Sequence, residues 1–376
     1  QLERIPAKEV QFARLQRQTK VLEEIYLLLQ TRLKEAEIAQ AVEDPSVRVV
    51  DPAIRPTEPI KPRTLLNLVL ALGLGAMVGT GAAFLRDSMD TTVHTREDIQ
   101  EATGGVPVLG LIPRIRPVSP TGNGRGRPAP VVARGTEGLG ERLVAGRDPR
   151  NPVSEAYRSL RTNITFARPD RPPKALVFTS PTPADGKTTS AANLAVTLAQ
   201  QGMRVLLVDA DLRRGVLHTV FGTGREPGLS NVLVNGGDPG EAIHRIDLGD
   251  SGTLDFLATG TLPPNPAELL GSERMHALLQ RLEERYDAIL LDAPPLNLVT
   301  DAAVLGTHAD GVLIVARAAK THKGALAYAM DQLRNVRAPV LGAVLNDVDF
   351  KRDGRYGGRY GSYGGYYQYY YGERGA

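Results

Sequence analysis

The chain has 376 residues, room for a folded domain of about 200 residues or more beside smaller parts. Its 45 basic and 42 acidic residues leave a net charge of +3, too even a balance to argue for nucleic acid as a partner. With no cysteine it can form neither disulfides nor thiolate metal sites, and it has no cysteine nucleophile.

No signal peptide is visible at Gln1, and the opening residues read as the middle of a helix, so a piece of a longer protein is expected. Residues 1–43 form a helical arm. Over 7–40, Phe12, Leu15, Thr19, Leu22, Tyr26, Leu29, Leu33 and Ala36 recur at steps of three and four, a heptad seam. A coiled-coil arm and a helix packed on a body outside this chain both fit that pattern. Residues 44–63 carry Pro45, Pro52, Pro56, Pro59 and Pro62, a stiff extended segment that cannot be helix. Thr64 to Leu85 then gives 22 residues without a charge, bracketed by Arg63 and Arg86. As a helix they span roughly 33 Å, enough for a bilayer core, so this is the expected transmembrane helix.

The juxtamembrane segment 86–113 reads as a short helix and a strand from Asp98 to Pro113. Residues 114–151, rich in Pro, Gly and Arg, have too few large apolar side chains to fold and read as a disordered linker. The folded domain is expected over 152–348. Strand-like runs at 175–180, 204–208, 254–258, 288–291, 311–316 and 340–345 alternate with helical patterns at 154–166, 187–201, 266–285 and 321–336. That alternation predicts an α/β domain, a mainly parallel sheet with helices on both faces and ligands at the carboxyl ends of its strands.

The stretch Leu176 to Thr189 carries the first chemistry. An apolar strand ends in small and proline residues, and Gly186-Lys187-Thr188 opens an alanine-rich helix, the order of a P-loop. The loop backbone from Pro183 through Ala184, Asp185 and Gly186 to Thr189 is expected to face a phosphate. Lys187 offers a cation to the outer phosphates and Thr188 a hydroxyl to Mg²⁺. Pro181 stands where the common pattern has glycine, so the loop is an atypical one. Two acidic motifs accompany it past buried strands: Asp209-Ala-Asp211-Leu-Arg213, and Asp292-Ala-Pro294-Pro295. Phosphoryl transfer from ATP needs Mg²⁺ and a carboxylate that orients the nucleophile, and three acidic groups at one sheet edge can supply both needs.

The end of the chain, 349–376, is a tyrosine tail. Eight of the sixteen residues from Tyr356 to Tyr371 are tyrosine: Tyr356, Tyr360, Tyr363, Tyr366, Tyr367, Tyr369, Tyr370 and Tyr371. Glycine spacing prevents helix or core formation, so they read either as a sticky low-complexity segment or as phosphoacceptors. As a flexible tail, these residues reach roughly 25–30 Å, enough for a neighbouring subunit's site.

Taken together, the loop, the DxDxR and DxPP motifs and the tail resemble the bacterial tyrosine kinases fused to polysaccharide co-polymerase domains, the polysaccharide-biosynthesis tyrosine autokinases. The resemblance covers nearly the whole chain and implies a P-loop kinase that uses ATP and Mg²⁺. Lys187 and Thr188 match the Walker A positions, Asp209 and Asp211 the Walker A′ pair, and Asp292 the Walker B acid. By that likeness Asp209 is the base for the tyrosyl hydroxyl, while Asp211 and Asp292, with Thr188, hold Mg²⁺. Arg213 joins the nucleotide site, and Asn346 contacts adenine by analogy with related P-loop ATPases. Glu155, Arg158 and Arg161 match the ExxRxxR motif, which implies a homo-oligomeric ring with phosphorylation in trans. The resemblance further implies a cognate tyrosine phosphatase, a polysaccharide polymerase and export machinery as partners, and control of exopolysaccharide chain length. It places the protein in the bacterial inner membrane, and because ATP is cytoplasmic, the kinase domain and tail lie inside and residues 1–63 outside. Two rivals stand beside it. One is an ATPase switch of the partitioning or septum-placing kind, which usually has an extra lysine where this chain has Pro181, Thr182 and Pro183. The other is a non-enzymatic, nucleotide-gated scaffold.

Overall fold

The computed structural model describes residues 7–42, 55, 61–115, 143–145, 151–168, 171–249 and 252–350. Most of the proline-rich segment, most of the expected linker and the tyrosine tail lie outside the described residues. The chain divides into two units, Gln1–Ala82 and Ala83–Ala376. The first holds α1 (Ala7–Val42) and most of α2 (Thr64–Ser88). The apolar seam of α1 is open, with Leu22, Tyr26 and Leu29 all more than 60% exposed. Helix α2 buries none of its residues and is long and apolar enough to cross a membrane.

The second unit is built on one eight-stranded sheet of order β1-β8-β7-β2-β6-β3-β5-β4. In chain order its elements begin with α3 (Arg96–Thr103), β1 (Val108–Pro113), α4 (Pro152–Ala167), β2 (Ala175–Thr179), α5 (Lys187–Ala199) and β3 (Val205–Asp209). Then come α6 (Leu217–Phe221), α7 (Leu229–Asn235), β4 (Ile243–Asp247), β5 (Thr253–Leu257), α8 (Pro266–Leu270) and α9 (Glu273–Arg285). The unit closes with β6 (Ala288–Asp292), α10 (Asp301–Gly306), β7 (Gly311–Arg317), α11 (Lys323–Asn335) and β8 (Val340–Val348). Every pairing is parallel except the β4–β5 hairpin at one edge. This is the mainly parallel α/β fold expected from the alternation of strands and helices.

Because side chains alternate across a strand, each central strand feeds two cores. Val177, Val208, Ile289 and Ile314 point to one face, under α9, α10 and α11. Leu176, Phe178, Leu207, Leu290 and Leu313 point to the other, under α4 and α5. Strands buried on both sides therefore read as unbroken apolar runs, which is why the sequence located them.

Four features depart from the sequence reading. The stretch expected as one helix over 266–285 is two, because Ser272 caps a new helix by accepting from the Met275 N–H just past Gly271. Strand β4, IHRID, escaped notice because an edge hairpin strand exposes its polar side chains. The segment before residue 114 belongs to the sheet: β1 pairs with β8, and α3 lies against α11, where Lys323 binds Asp98 at 2.7 Å. Finally, Leu143 and Ala145, inside the expected linker, are buried against α5, where the Asn193 side chain accepts the Val144 and Ala145 N–H groups at 3.0 and 3.1 Å.

The β1–β8 seam depends on a glycine. A Cβ at Gly342 would stand 2.5 Å from Leu109 Cγ and 2.9 Å from the Pro107 carbonyl oxygen. Gly342→Val is expected to lower the stability of the sheet by about 2 kcal/mol in urea unfolding of the detergent-solubilised chain. Gly237→Ala, where a Cβ meets nothing within 4 Å, should leave the midpoint unchanged.

Candidate active site

Strands β2, β6 and β3 are neighbours, although β2 and β3 are consecutive in this part of the sequence and β6 arrives between them later. This insertion brings the loop after β2 beside both acidic motifs. Asp209 and Asp292 are register partners on adjacent strands. Both are buried, as is Asp211 in the turn after β3.

The loop from Ser180 to Gly186 is held in an unusual shape. Ala184 has φ 64° and Gly186 φ 105°, both in the left-handed region that favours glycine. A Cβ at residue 186 would also fall 2.0 Å from Asn346 Nδ2, so only glycine fits there. Helix α5 then starts at Lys187 without a side-chain cap. Its first N–H groups have no acceptor inside the helix and are available to an anion.

Lys187 extends into the acidic cluster. Its Nζ lies 3.3 Å from Asp211 Oδ2, 3.3 Å from Asp292 Oδ1 and 3.2 Å from Thr188 Oγ1. Thr188 donates its hydroxyl proton to Asp292 Oδ2 at 2.7 Å. Burial works against the Lys187 charge, but the flanking carboxylates outweigh it and hold the ammonium protonated. Asp209 accepts the Leu217 N–H on Oδ2 at 3.0 Å, while its Oδ1 is buried without a hydrogen-bond partner. Burial, and then the charge of Asp292, push the Asp209 carboxyl up to about 7.

Three carboxylates facing one ammonium leave an excess of negative charge that suits a divalent cation. The Thr188 hydroxyl and the Asp292 and Asp211 carboxylates are the hard oxygen donors Mg²⁺ prefers. Among the described residues no three acidic or imidazole groups converge closely enough to hold a metal by themselves. The donor set therefore fits a Mg²⁺ shared with substrate phosphates, the usual arrangement for that ion.

Three of the other expected site residues have different partners. Asp185 contributes loop backbone, but its carboxylate is fully buried and accepts from Thr182 N at 2.9 Å and from the Thr182 hydroxyl at 2.8 Å. Arg213, expected at the nucleotide, is gripped by the buried Asp301 of α10 at 2.8 and 3.0 Å. Asn346 reaches the loop, donating to the Asp185 carbonyl at 2.9 Å. Glu155, Arg158 and Arg161 stand half-buried on α4, where Arg158 pairs with Glu155. Asp301, Arg317 and Thr321 were missed by the sequence reading. They lie far along the chain, in no recognisable motif, and only the fold brings Asp301 to Arg213, and Arg317 and Thr321 to the loop.

Residues 7–88 match a family model described as "G-rich domain on putative tyrosine kinase", and residues 184–339 match an AAA domain. Tyrosine-protein kinase YwqD of Bacillus subtilis is 41% identical over 215 residues, which cover 57% of this chain and 90% of that protein. The chain belongs to the bacterial tyrosine-protein kinase family. Tyrosine-protein kinase etk of Escherichia coli is 32% identical over 353 residues, 92% of this chain and 47% of that protein. The chain thus spans about half the length of several of its curated relatives. The solved kinase domain of E. coli ETK superposes with a TM-score of 0.60 at 33% identity, over 68% of this chain and 95% of that one. The BceF tyrosine kinase domain matches with a TM-score of 0.57 at 34% identity, over 69% and 100%. The P-loop fold of this family, with its AAA-domain match, supports nucleotide binding at the site.

The raised Asp209 carboxyl has a consequence for stability. In the unfolded chain the group loses its proton near its ordinary value of 3.8, and in the fold near 7. Between those values the folded state binds more protons, so stability falls as pH rises. The nucleotide-free protein should lose on the order of 3 kcal/mol from this group between about pH 4 and 7. Thermal melts across that range should show a clearly shallower decline for Asp209→Asn.

Proposed function

We propose that this chain is the membrane-anchored catalytic portion of a protein-tyrosine autokinase that transfers the γ-phosphoryl group of ATP to its own C-terminal tyrosines. The observation that carries the proposal is the joint presence of two arrangements. Lys187 and Thr188 sit on the Asp292 carboxylate at the loop mouth, and beside them Asp209 offers a buried oxygen with no partner. The first arrangement suits a metal-bound triphosphate, and the second suits a proton acceptor.

In this mechanism the loop backbone from Pro183 to Thr189 and the Lys187 ammonium bind and orient the phosphates. Mg²⁺, held by Thr188, Asp292 and Asp211, would supply charge neutralisation on the β- and γ-phosphates. Asp209 Oδ1 takes the phenol proton of an incoming tyrosine as the phenolic oxygen bonds to the γ-phosphorus. The bond to the β,γ-bridging oxygen breaks and ADP leaves. A carboxyl poised at about 7 accepts that proton more readily than one at its ordinary value.

The acceptors are Tyr356, Tyr360, Tyr363, Tyr366, Tyr367, Tyr369, Tyr370 and Tyr371, delivered in trans within a ring joined through Glu155, Arg158 and Arg161. In support, the tail follows β8, whose carboxyl end lies at the same sheet edge as the loop. Asn346, already against the loop, would lie beside the base of the nucleotide. Helix α2 anchors the chain in the bacterial inner membrane, with residues 1–63 outside and the kinase domain in the cytoplasm. The ring works with a polysaccharide polymerase and export apparatus to set chain length, and a tyrosine phosphatase resets it.

Incubating the purified chain with Mg-ATP should yield phosphotyrosine in the tail by mass spectrometry. Lys187→Met and Asp209→Asn should each reduce it at least a hundredfold. ATP hydrolysis dependent on Lys187 without phosphotyrosine would point instead to an ATPase switch. Absence of both activities would point to a scaffold.

A further inference from the structure

The phosphate loop is shaped from outside by a residue 136 positions away in sequence, Thr321. Its side chain is fully buried, in the turn between β7 and α11. The Thr321 hydroxyl accepts the Arg317 N–H at 2.8 Å and donates its proton to Asp185 Oδ1 at 3.0 Å. A carboxylate oxygen can only accept, so the hydroxyl's single proton is the one that makes the bond to Asp185. Asp185 Oδ2 is meanwhile occupied by the two donors of Thr182. The loop is thus pinned through one carboxylate, on one oxygen from within itself and on the other from the β7–α11 turn.

That turn is itself fixed. A strap just past α2 runs alongside it: Val93 N–H donates to the Thr321 carbonyl at 2.8 Å, Ala319 N–H to the Val93 carbonyl at 2.9 Å, and Lys323 N–H to the Thr91 carbonyl at 2.9 Å. Thr321 therefore cannot drift from the loop without breaking main-chain pairing on both sides.

The need for such a brace is local. Asp185 lies between Ala184 and Gly186, two residues in left-handed backbone at φ 64° and 105°. For alanine that conformation is strained and persists only when its surroundings impose it. The Arg317 guanidinium at 3.3 Å from the Ala184 carbonyl and the Asn346 amide on the Asp185 carbonyl complete the brace. The loop N–H groups can face a phosphate only while this conformation holds.

We propose that Thr321 is a positioning residue for the phosphate loop, acting through the buried Asp185 carboxylate to hold the backbone in its phosphate-binding shape. This rests on the nucleotide reading of the site.

The test is ATP affinity and steady-state kinetics of the full chain in detergent. Variants are Thr321→Val, Thr321→Ser, Asp185→Asn and the double variant Thr321→Val/Asp185→Asn. Thr321→Val keeps the shape but leaves Asp185 Oδ1 and the Arg317 N–H buried without partners. It should raise the ATP Kd and KM about tenfold or more, with kcat within about twofold of wild type. Thr321→Ser, which retains the hydroxyl, should stay within about twofold of wild type in all three. The double variant should bind no worse than about twofold below the weaker single variant, since both changes break one clamp. Wild-type ATP affinity in a Thr321→Val protein would overturn the inference while leaving the nucleotide reading intact. So would multiplicative losses in the double variant, or a Thr321→Ser as impaired as Thr321→Val. Should Thr321→Val not fold, the Thr321→Ser comparison and the ATP affinity of Asp185→Asn, expected to fall at least fivefold or so, decide alone. No ATP binding by the wild-type chain would remove both the nucleotide reading and this one.

Discussion

Everything at the loop edge depends on one ammonium group buried among carboxylates. Strands in a sheet stand about 4.8 Å apart, and Asp209 and Asp292 face each other across one such step. Two acids so close, out of water, repel strongly and resist ionising together. Lys187 relieves one of them directly, at 3.3 Å from Asp292, and burial leaves the other, Asp209, reluctant to give up its proton. The sheet thereby creates two unlike carboxylates from two like residues. One is bound by the Lys187 ammonium and the Thr188 hydroxyl, although burial raises its carboxyl too, and the other keeps an oxygen without a partner and is pushed up to about 7.

The arrangement follows from strand order more than from any single contact. A chain that ran β2, α5 and β3 into adjacent positions would hold the loop and the DxDxR turn together and exclude the third acid. Leaving a gap that β6 later fills lets Asp292 enter from a point 105 residues beyond Lys187. The cost is a set of long-range contacts that must form before the site exists. The two-sided core described above, with Phe178 on one face and Val177 on the other, makes that order stable.

How much of this could be read beforehand depended on whether the signal was local. Strand β2 and the Gly186-Lys187-Thr188 start of α5 were legible because apolar run, glycine and helix pattern are contiguous. Asp209 and Asp292 were legible because each ends an apolar strand, and Asp211 because it follows two residues beyond one. Asp185 and Arg213 were only half legible: their chain positions beside the site were readable, but their side chains turn to Thr321 and Asp301. Those partners come from other elements, and a one-dimensional pattern carries no trace of them. The same limit hid β1 as part of the sheet, since its partner β8 begins more than two hundred residues later.

The topology also separates the two rims of the sheet by use. The phosphate loop, the acidic turns, the strap at Thr91–Val93, and the exits from β1 and β8, where Arg114 meets Asp347 at 2.9 Å, all crowd the carboxyl rim. The opposite rim is made of short reversals, among them the β4–β5 turn between Gly249 and Gly252. A fluorophore or affinity handle inserted at that turn sits a full strand length away from the chemistry. It offers a place from which to watch the domain without touching what it does.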